Sequence, residues 1–192
     1  MENNEKVDAE VVMTEKEIVQ ESLRICRWAA ARAGVIVVAP LVGSMALMAN
    51  EVYMISKLAK LRGVSLSEGA IMGLLGAFGC TFVGQTLCTL IPFAPIQLPV
   101  AISITYGIGR VTMEWLKAGQ PEDFSAFKTV FEDASKEAIE QIKKFKDNPE
   151  KDTPLGDESK RFDTDSVEDT FDSIKKKAAD VGNDIKEKIK NL

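Results

Sequence analysis

GAIMGLLGAFGCTFVGQTLCTLI, residues 69–91, is apolar around its whole circumference and carries no charge. It belongs to a longer run, for residues 69–109 hold 41 consecutive positions without a formal charge. Written as one helix at about 1.5 Å per residue, 69–91 reaches roughly 34 Å, enough to cross the hydrocarbon core of a bilayer with some tilt. Ser65 and Glu68 form a capping box that starts it. Gly69, Gly73 and Ala77 recur every fourth residue, and Gly76, Cys80 and Gly84 run beside them. Small residues at that interval let two helix backbones approach closely where lipid removes the hydrophobic driving force. These six positions are therefore the expected helix-packing face, within the chain or between copies in a homo-oligomer.

Working outward toward the C-terminus, Pro92, Pro95 and Pro99 predict a turn, because proline removes a helix hydrogen bond and constrains its predecessor. A return helix is expected from Pro99 in its first turn to Leu116, stopped by Gly119 and Pro121. Arg110 would find Glu114 four residues on, and Trp115 would sit at a membrane interface. The two limbs make a membrane hairpin.

Toward the N-terminus, residues 33–50 are again uncharged, and Pro40 predicts a kink or break near Ala39 to Gly43. A helix should follow from about Ser44 to Arg62, ended by Gly63. Thr14 and Glu17 form another capping box, so a helix should begin near Glu15, with Ile18, Ser22, Ile25 and Ala29 on its buried face. Trp28 among Arg24, Arg27 and Arg32 suits either a membrane interface or a core. If 33–50 only dips into the membrane while 69–109 crosses and returns, every basic cluster lies on one side, as the positive-inside tendency prefers. Both termini would then be cytosolic, and the polar start of the chain shows no secretory signal pattern.

Beyond Pro121 the composition changes. Phe124, Phe127, Phe131, Ala134, Ala138, Ile142 and Phe145 are spaced as an amphipathic helix. Residues 147–165, with two prolines, a glycine and many acids, read as a disordered linker. Phe171, Ile174, Val181 and Ile185 then mark the apolar stripe of a C-terminal helix, the expected partner-binding face. The chain divides into a lead (1–13), a membrane-associated helical domain (14–119), an amphipathic helix (120–146), a linker (147–165) and a C-terminal amphipathic helix (166–192). The expected fold class is all-α.

Composition narrows the chemistry. The chain has 192 residues, no His, and 24 Lys+Arg against 29 Asp+Glu. Without His, the usual neutral-pH base and the commonest metal ligand are missing, so no enzyme, metal or cofactor is expected. A net charge of −5 argues against nucleic acid. Cys26, Cys80 and Cys88 lack metal-site spacing and read as reduced packing residues.

APLVGSMALMANEVYMISKLAKLRGVSLS, residues 39–67, and LIPFAPIQLPVAISITYGIGR, residues 90–110, resemble the YcjF-like bacterial membrane domains, family 697 of the domains of unknown function. The likeness covers about residues 29–119. It implies a membrane domain that works beside a GTPase, although this chain has no GxxxxGK[ST] phosphate loop of its own. Together these readings predict a non-catalytic membrane anchor or scaffold that contacts lipid and recruits a protein partner, a GTPase by that resemblance. The alternatives are a soluble all-α adaptor with a very apolar central helix and an oligomeric pore, the latter poorly supplied with polar residues.

Overall fold

The computed structural model describes residues 13–37, 43–86 and 94–152, and the regular elements among them are all helical. They are α1 (Glu15–Ile36), α2 (Gly43–Leu61), α3 (Glu68–Thr86), α4 (Ala94–Lys117), α5 (Lys128–Glu140) and α6 (Ile142–Lys146). Single 3-10 turns, Ser125–Phe127 and Pro149–Asp152, flank the last two.

Local chemistry sets several of these ends. The Thr14 hydroxyl accepts from the Glu17 amide while the Glu17 carboxylate accepts from the Thr14 amide at 2.7 Å, so α1 starts at its capping box. Gly63, at φ 67°, turns the chain out of α2, and the Val64 amide closes back on the Ala59 carbonyl at 2.9 Å. Gly119 and Gln120, at φ 81° and 59°, do the same after α4.

Two expectations about the apolar region change. The helix expected over 69–91 is described only to Thr86, and Pro92 lies outside the described residues, as do Pro40 and the stretch 87–91. The helix expected to start at Pro99 begins five residues earlier, at Ala94, so Pro95 and Pro99 are helical rather than parts of a turn. Pro95 occupies the first turn, where a missing amide hydrogen costs nothing, and Pro99 gives up a single bond one turn later. Among the described residues no helix is long and apolar enough to cross a membrane.

α4 is the central helix. Along α1 its neighbours run in reverse order: Gly34 lies against Ile102 and Leu98, and Cys26 against Gly109 and Met113. Along α2 they run in the same order, Glu51 beside Thr105 and Met54 beside Gly109. α3 runs against α4, since Gly73 faces Phe124, which stacks on Trp115, while Phe78 stacks on Phe131, which covers Gly107. The lines of small residues on α4 make this possible. A Cβ on Gly109 would come within 2.7 Å of Cys26 Sγ, and one on Gly107 within 2.8 Å of the Phe131 ring.

Residues 120–146 share this core. Phe127, Phe131, Ala134, Ala138 and Phe145 are buried in the same cluster as Trp28, Met54, Leu74 and Ile108, so the stripe read from the sequence packs on α4. It is broken at Gln141 into α5 and α6. Trp28 is a core residue, 1% exposed. Trp115 is buried too, its indole donating to the Pro121 carbonyl at 2.9 Å instead of facing a membrane interface.

Candidate functional site

The register of the helices brings one kind of surface to one end. α1 and α3 run toward that end, and α2 and α4 run away from it. Beyond Arg32 on α1, before Glu51 on α2, beyond Glu68 on α3 and before Arg110 on α4, no residue carries a charge. Ala33, Leu47 and Ala101 close a small apolar cluster there, flanked by Ile36 and Val37. Val35, 46% exposed, faces outward from the same turn. From Thr105 back to Ala94, α4 extends roughly 16 Å into this end at about 1.5 Å per residue.

A polar layer marks the border. Glu51 is 6% exposed and accepts from the Thr105 hydroxyl at 3.0 Å. Burial pushes its carboxyl up from an ordinary 4.5 to about 7, against the opposing pull of the Thr105 hydrogen bond. Next to it, the Asn50 side-chain amide donates to the Ala29 carbonyl at 2.9 Å. Trp28 and Tyr53 meet with ring centroids 5.7 Å apart, Arg32 lying 4.8 Å over the Trp28 ring and Lys57 5.4 Å from the Tyr53 ring. Cys26 lies just inside the polar body, where burial pushes its thiol up to about 12, and its Sγ–H points at Met113 Sδ.

On the opposite side of α4, Arg110 Nη1 donates to Glu137 Oε2 at 3.1 Å and to the Tyr106 hydroxyl at 3.3 Å, and that hydroxyl reaches Glu137 Oε1 at 3.3 Å. Glu137 of α5 thus takes the place expected for Glu114, which is exposed. Burial raises the Tyr106 hydroxyl, and Arg110 offsets part of that rise. Among the described residues no group of three or more His, Cys, Asp or Glu stands in a metal-holding arrangement.

The expected site residues fall in different places. Gly69, Gly73 and Ala77 are exposed, and among the described residues no helix packs on the stripe they form with Gly76. A Cβ at Gly73 would meet only the Phe124 ring, at 3.7 Å, and one at Gly76 would meet nothing within 4 Å. Cys80 and Gly84 sit in the last turns of α3, whose side chains lie outside the described residues. Gly43 opens α2 and Gly63 ends it. Phe171, Ile174, Val181 and Ile185 lie outside the described residues.

Sequence reading passed over Glu51 and Glu137. Glu51 does leave a trace: Leu47, Met54 and Ile55, one turn away on either side, are apolar and buried, so the carboxyl lies on the inward face of α2. Glu137 leaves none, since its contact with Arg110 joins helices that only the tertiary fold brings together. No family model, curated relative or solved structure matches the chain.

Proposed function

We propose that this protein is a non-catalytic membrane anchor, seated with its uncharged end in one leaflet, whose polar body recruits a protein partner. The observation that supports this is the collection of the uncharged helix ends on one side of the Glu51 and Arg32 layer. A roughly 16 Å extension matches half of a hydrocarbon core of about 30 Å, so the end reaches into one leaflet without requiring a crossing helix. On α1 and α2 the first charges, Arg32 and Glu51, stand at this level, and Arg110 follows about one turn further along α4, whereas α3 is uncharged over its whole length after Glu68. In this reading the partner docks on the polar body or on the tail, and a GTPase partner rests on the family resemblance alone.

Two exposed apolar residues give the test. Val35, at the uncharged end, and Ile139, on α5 of the polar body, are 46% and 53% exposed, so neither substitution opens a cavity. Val35→Asp should weaken flotation with phosphatidylcholine vesicles severalfold, since Val35 lies about one turn inside the Arg32 layer and a carboxylate there costs part of the roughly 2.5–3.5 kcal/mol it would cost at the bilayer centre. Ile139→Asp should float as the unsubstituted chain does. If the unsubstituted chain stays with the aqueous fraction, the adaptor reading replaces the anchor. The closed core around Trp28, Met54 and Ile108, which needs no lipid to cover it, is what favours that second reading.

A further inference from the structure

A cavity of about 270 Å³ opens between α1, α4 and the α5–α6 junction. Its rim carries Arg27 from α1 and Lys144 from α6, its back wall is Tyr106 and Phe145, and Gln141 and Asn148 complete the polar lining with Glu137. We infer that this cavity binds a phosphate group, held between Arg27 and Lys144.

Charge bookkeeping within the lining favours an anion. Glu137 is the carboxylate of the lining, and Arg110 from behind already neutralises it at 3.1 Å while Tyr106 occupies its second oxygen. Among the described residues Arg27 has no carboxylate partner within ion-pair distance. Among the described residues the Lys144 ammonium donates to the neutral Gln141 Oε1, at 3.1 Å, and to no carboxylate. Two cations therefore face the cavity against one carboxylate, Glu137, which Arg110 already pairs. Asn148 spends its carbonyl oxygen on the Glu150 amide at 2.9 Å, leaving its amide hydrogens as donors toward the cavity. Arg presents a planar fork suited to two phosphate oxygens, and Lys adds a point charge. The two cations stand on different helices, and Phe145 packs edge-on to Tyr106 at 5.2 Å, which ties α6, and with it the backbone of Lys144, to α4. At 270 Å³ the space is below the size of most small-molecule pockets, which suits a headgroup-sized anion.

Depth assigns the source, and this part rests on the anchor reading above. Arg27 lies five residues from Arg32 along α1, roughly 7 Å, and Tyr106 adjoins Thr105 of the border layer. Headgroup layers extend about 5–8 Å beyond each face of the hydrocarbon core, so the cavity falls in that layer. Basic pockets between helices at this depth bind phospholipid headgroups.

The test compares the full chain, the double variant Arg27→Gln with Lys144→Gln, and a control double variant, Lys117→Gln with Lys136→Gln, that removes equal charge elsewhere. All four side chains are exposed, and matching thermal unfolding curves verify that each protein folds. Flotation uses vesicles of phosphatidylcholine with and without phosphatidic acid, and glycerol phosphate serves as the soluble probe. Phosphatidic acid should strengthen binding of the full chain and of the control, and the site variant should lose roughly tenfold of that binding, as expected for the loss of charge-assisted phosphate contacts. Binding to phosphatidylcholine alone should be equal in all three. Equal response of all three proteins to phosphatidic acid, or equal loss in both variants, overturns the phosphate site and leaves the anchor reading standing. If no vesicle binds but glycerol phosphate raises the melting temperature of the full chain and not of the site variant, the site holds with free phosphate as its source and the anchor reading falls.

Discussion

Glu51 places an ionisable group inside the bundle with one hydroxyl to satisfy it, and that costs stability whenever the carboxyl is charged. Its folded value of about 7 lies above the ordinary 4.5, so between these pH values the folded chain keeps a proton that the unfolded chain has released. Stability from this group is therefore complete below about pH 4.5, falls as pH rises to about 7, and levels off above, a loss on the order of 3 kcal/mol. Glu51→Gln, which keeps an acceptor for Thr105, should remove that decline and melt higher than the unsubstituted chain at pH 8; denaturant unfolding at pH 5 and pH 8 reads both. A larger stability deficit of the variant at pH 8 than at pH 5 would contradict it. The glycines sort just as sharply. Gly109→Ala drives a methyl to 2.7 Å from Cys26 Sγ and 3.0 Å from Met54 Sδ, and should cost about 1–3 kcal/mol. Gly73→Ala, with only the Phe124 ring at 3.7 Å, should be neutral or stabilising by about 0.5–1 kcal/mol in the same unfolding experiment. The every-fourth-residue stripe was legible in sequence, but α3 is apolar on all sides, so periodicity could not say which face meets a neighbour. The glycines that do let helices approach, Gly107 and Gly109, are two apart and serve different partners, α5 for one and α1 with α2 for the other, a pattern that no single-face spacing reveals.

Most helix boundaries were readable where a cap fixes them, but at α3 the cap is Ser67, whose hydroxyl accepts from the Ala70 amide at 3.2 Å, and not the expected Ser65 with Glu68. Thr14 with Glu17, Gly63 and Gly119 each act through a local bond or backbone angle that the residue type carries with it. α4 was misread at its start because proline disfavours a helix interior without forbidding its early turns. Pro99 leaves the Pro95 carbonyl without its helical amide partner, and the packing of Ala101, Ile102 and Thr105 on α1 and α2 overrides that local preference. Pro99→Ala should therefore stabilise the chain, by about 1–2 kcal/mol once the greater freedom of the unfolded alanine is subtracted from the recovered helix propensity. A lower melting temperature for this variant would mean that the proline shapes the helix to fit its neighbours. The amphipathic stripe from Phe124 to Phe145 was legible as a stripe, but its docking on α4 was not, since a stripe does not name the surface that covers it. The break at Gln141 was not, since neither a proline nor a glycine announces it.

At the scale of the whole molecule, the chain separates by charge along the bundle axis as well as from inside to outside. A globular domain needs only the second separation. The uncharged runs 33–50 and 69–109 were visible at once in the sequence, but their arrangement was not, because hydropathy along a line cannot tell a helix that crosses a bilayer from one that lends half its length to a protein core. Residues 101–109 are buried among the helices around them, so that stretch of the uncharged run serves the protein core. A chain inserted to one leaflet holds Val35 in the acyl layer and Ile139 in water. A tryptophan placed at each of these positions in turn, measured against the background of Trp28 and Trp115, tests this most directly. In vesicles whose acyl chains carry bromine, Val35→Trp should add emission that bromine quenches and aqueous acrylamide does not, while Ile139→Trp should add emission that acrylamide alone quenches. If the tryptophan at 35 is quenched by acrylamide and untouched by bromine, the uncharged end does not enter the membrane and the protein is not an anchor of this kind.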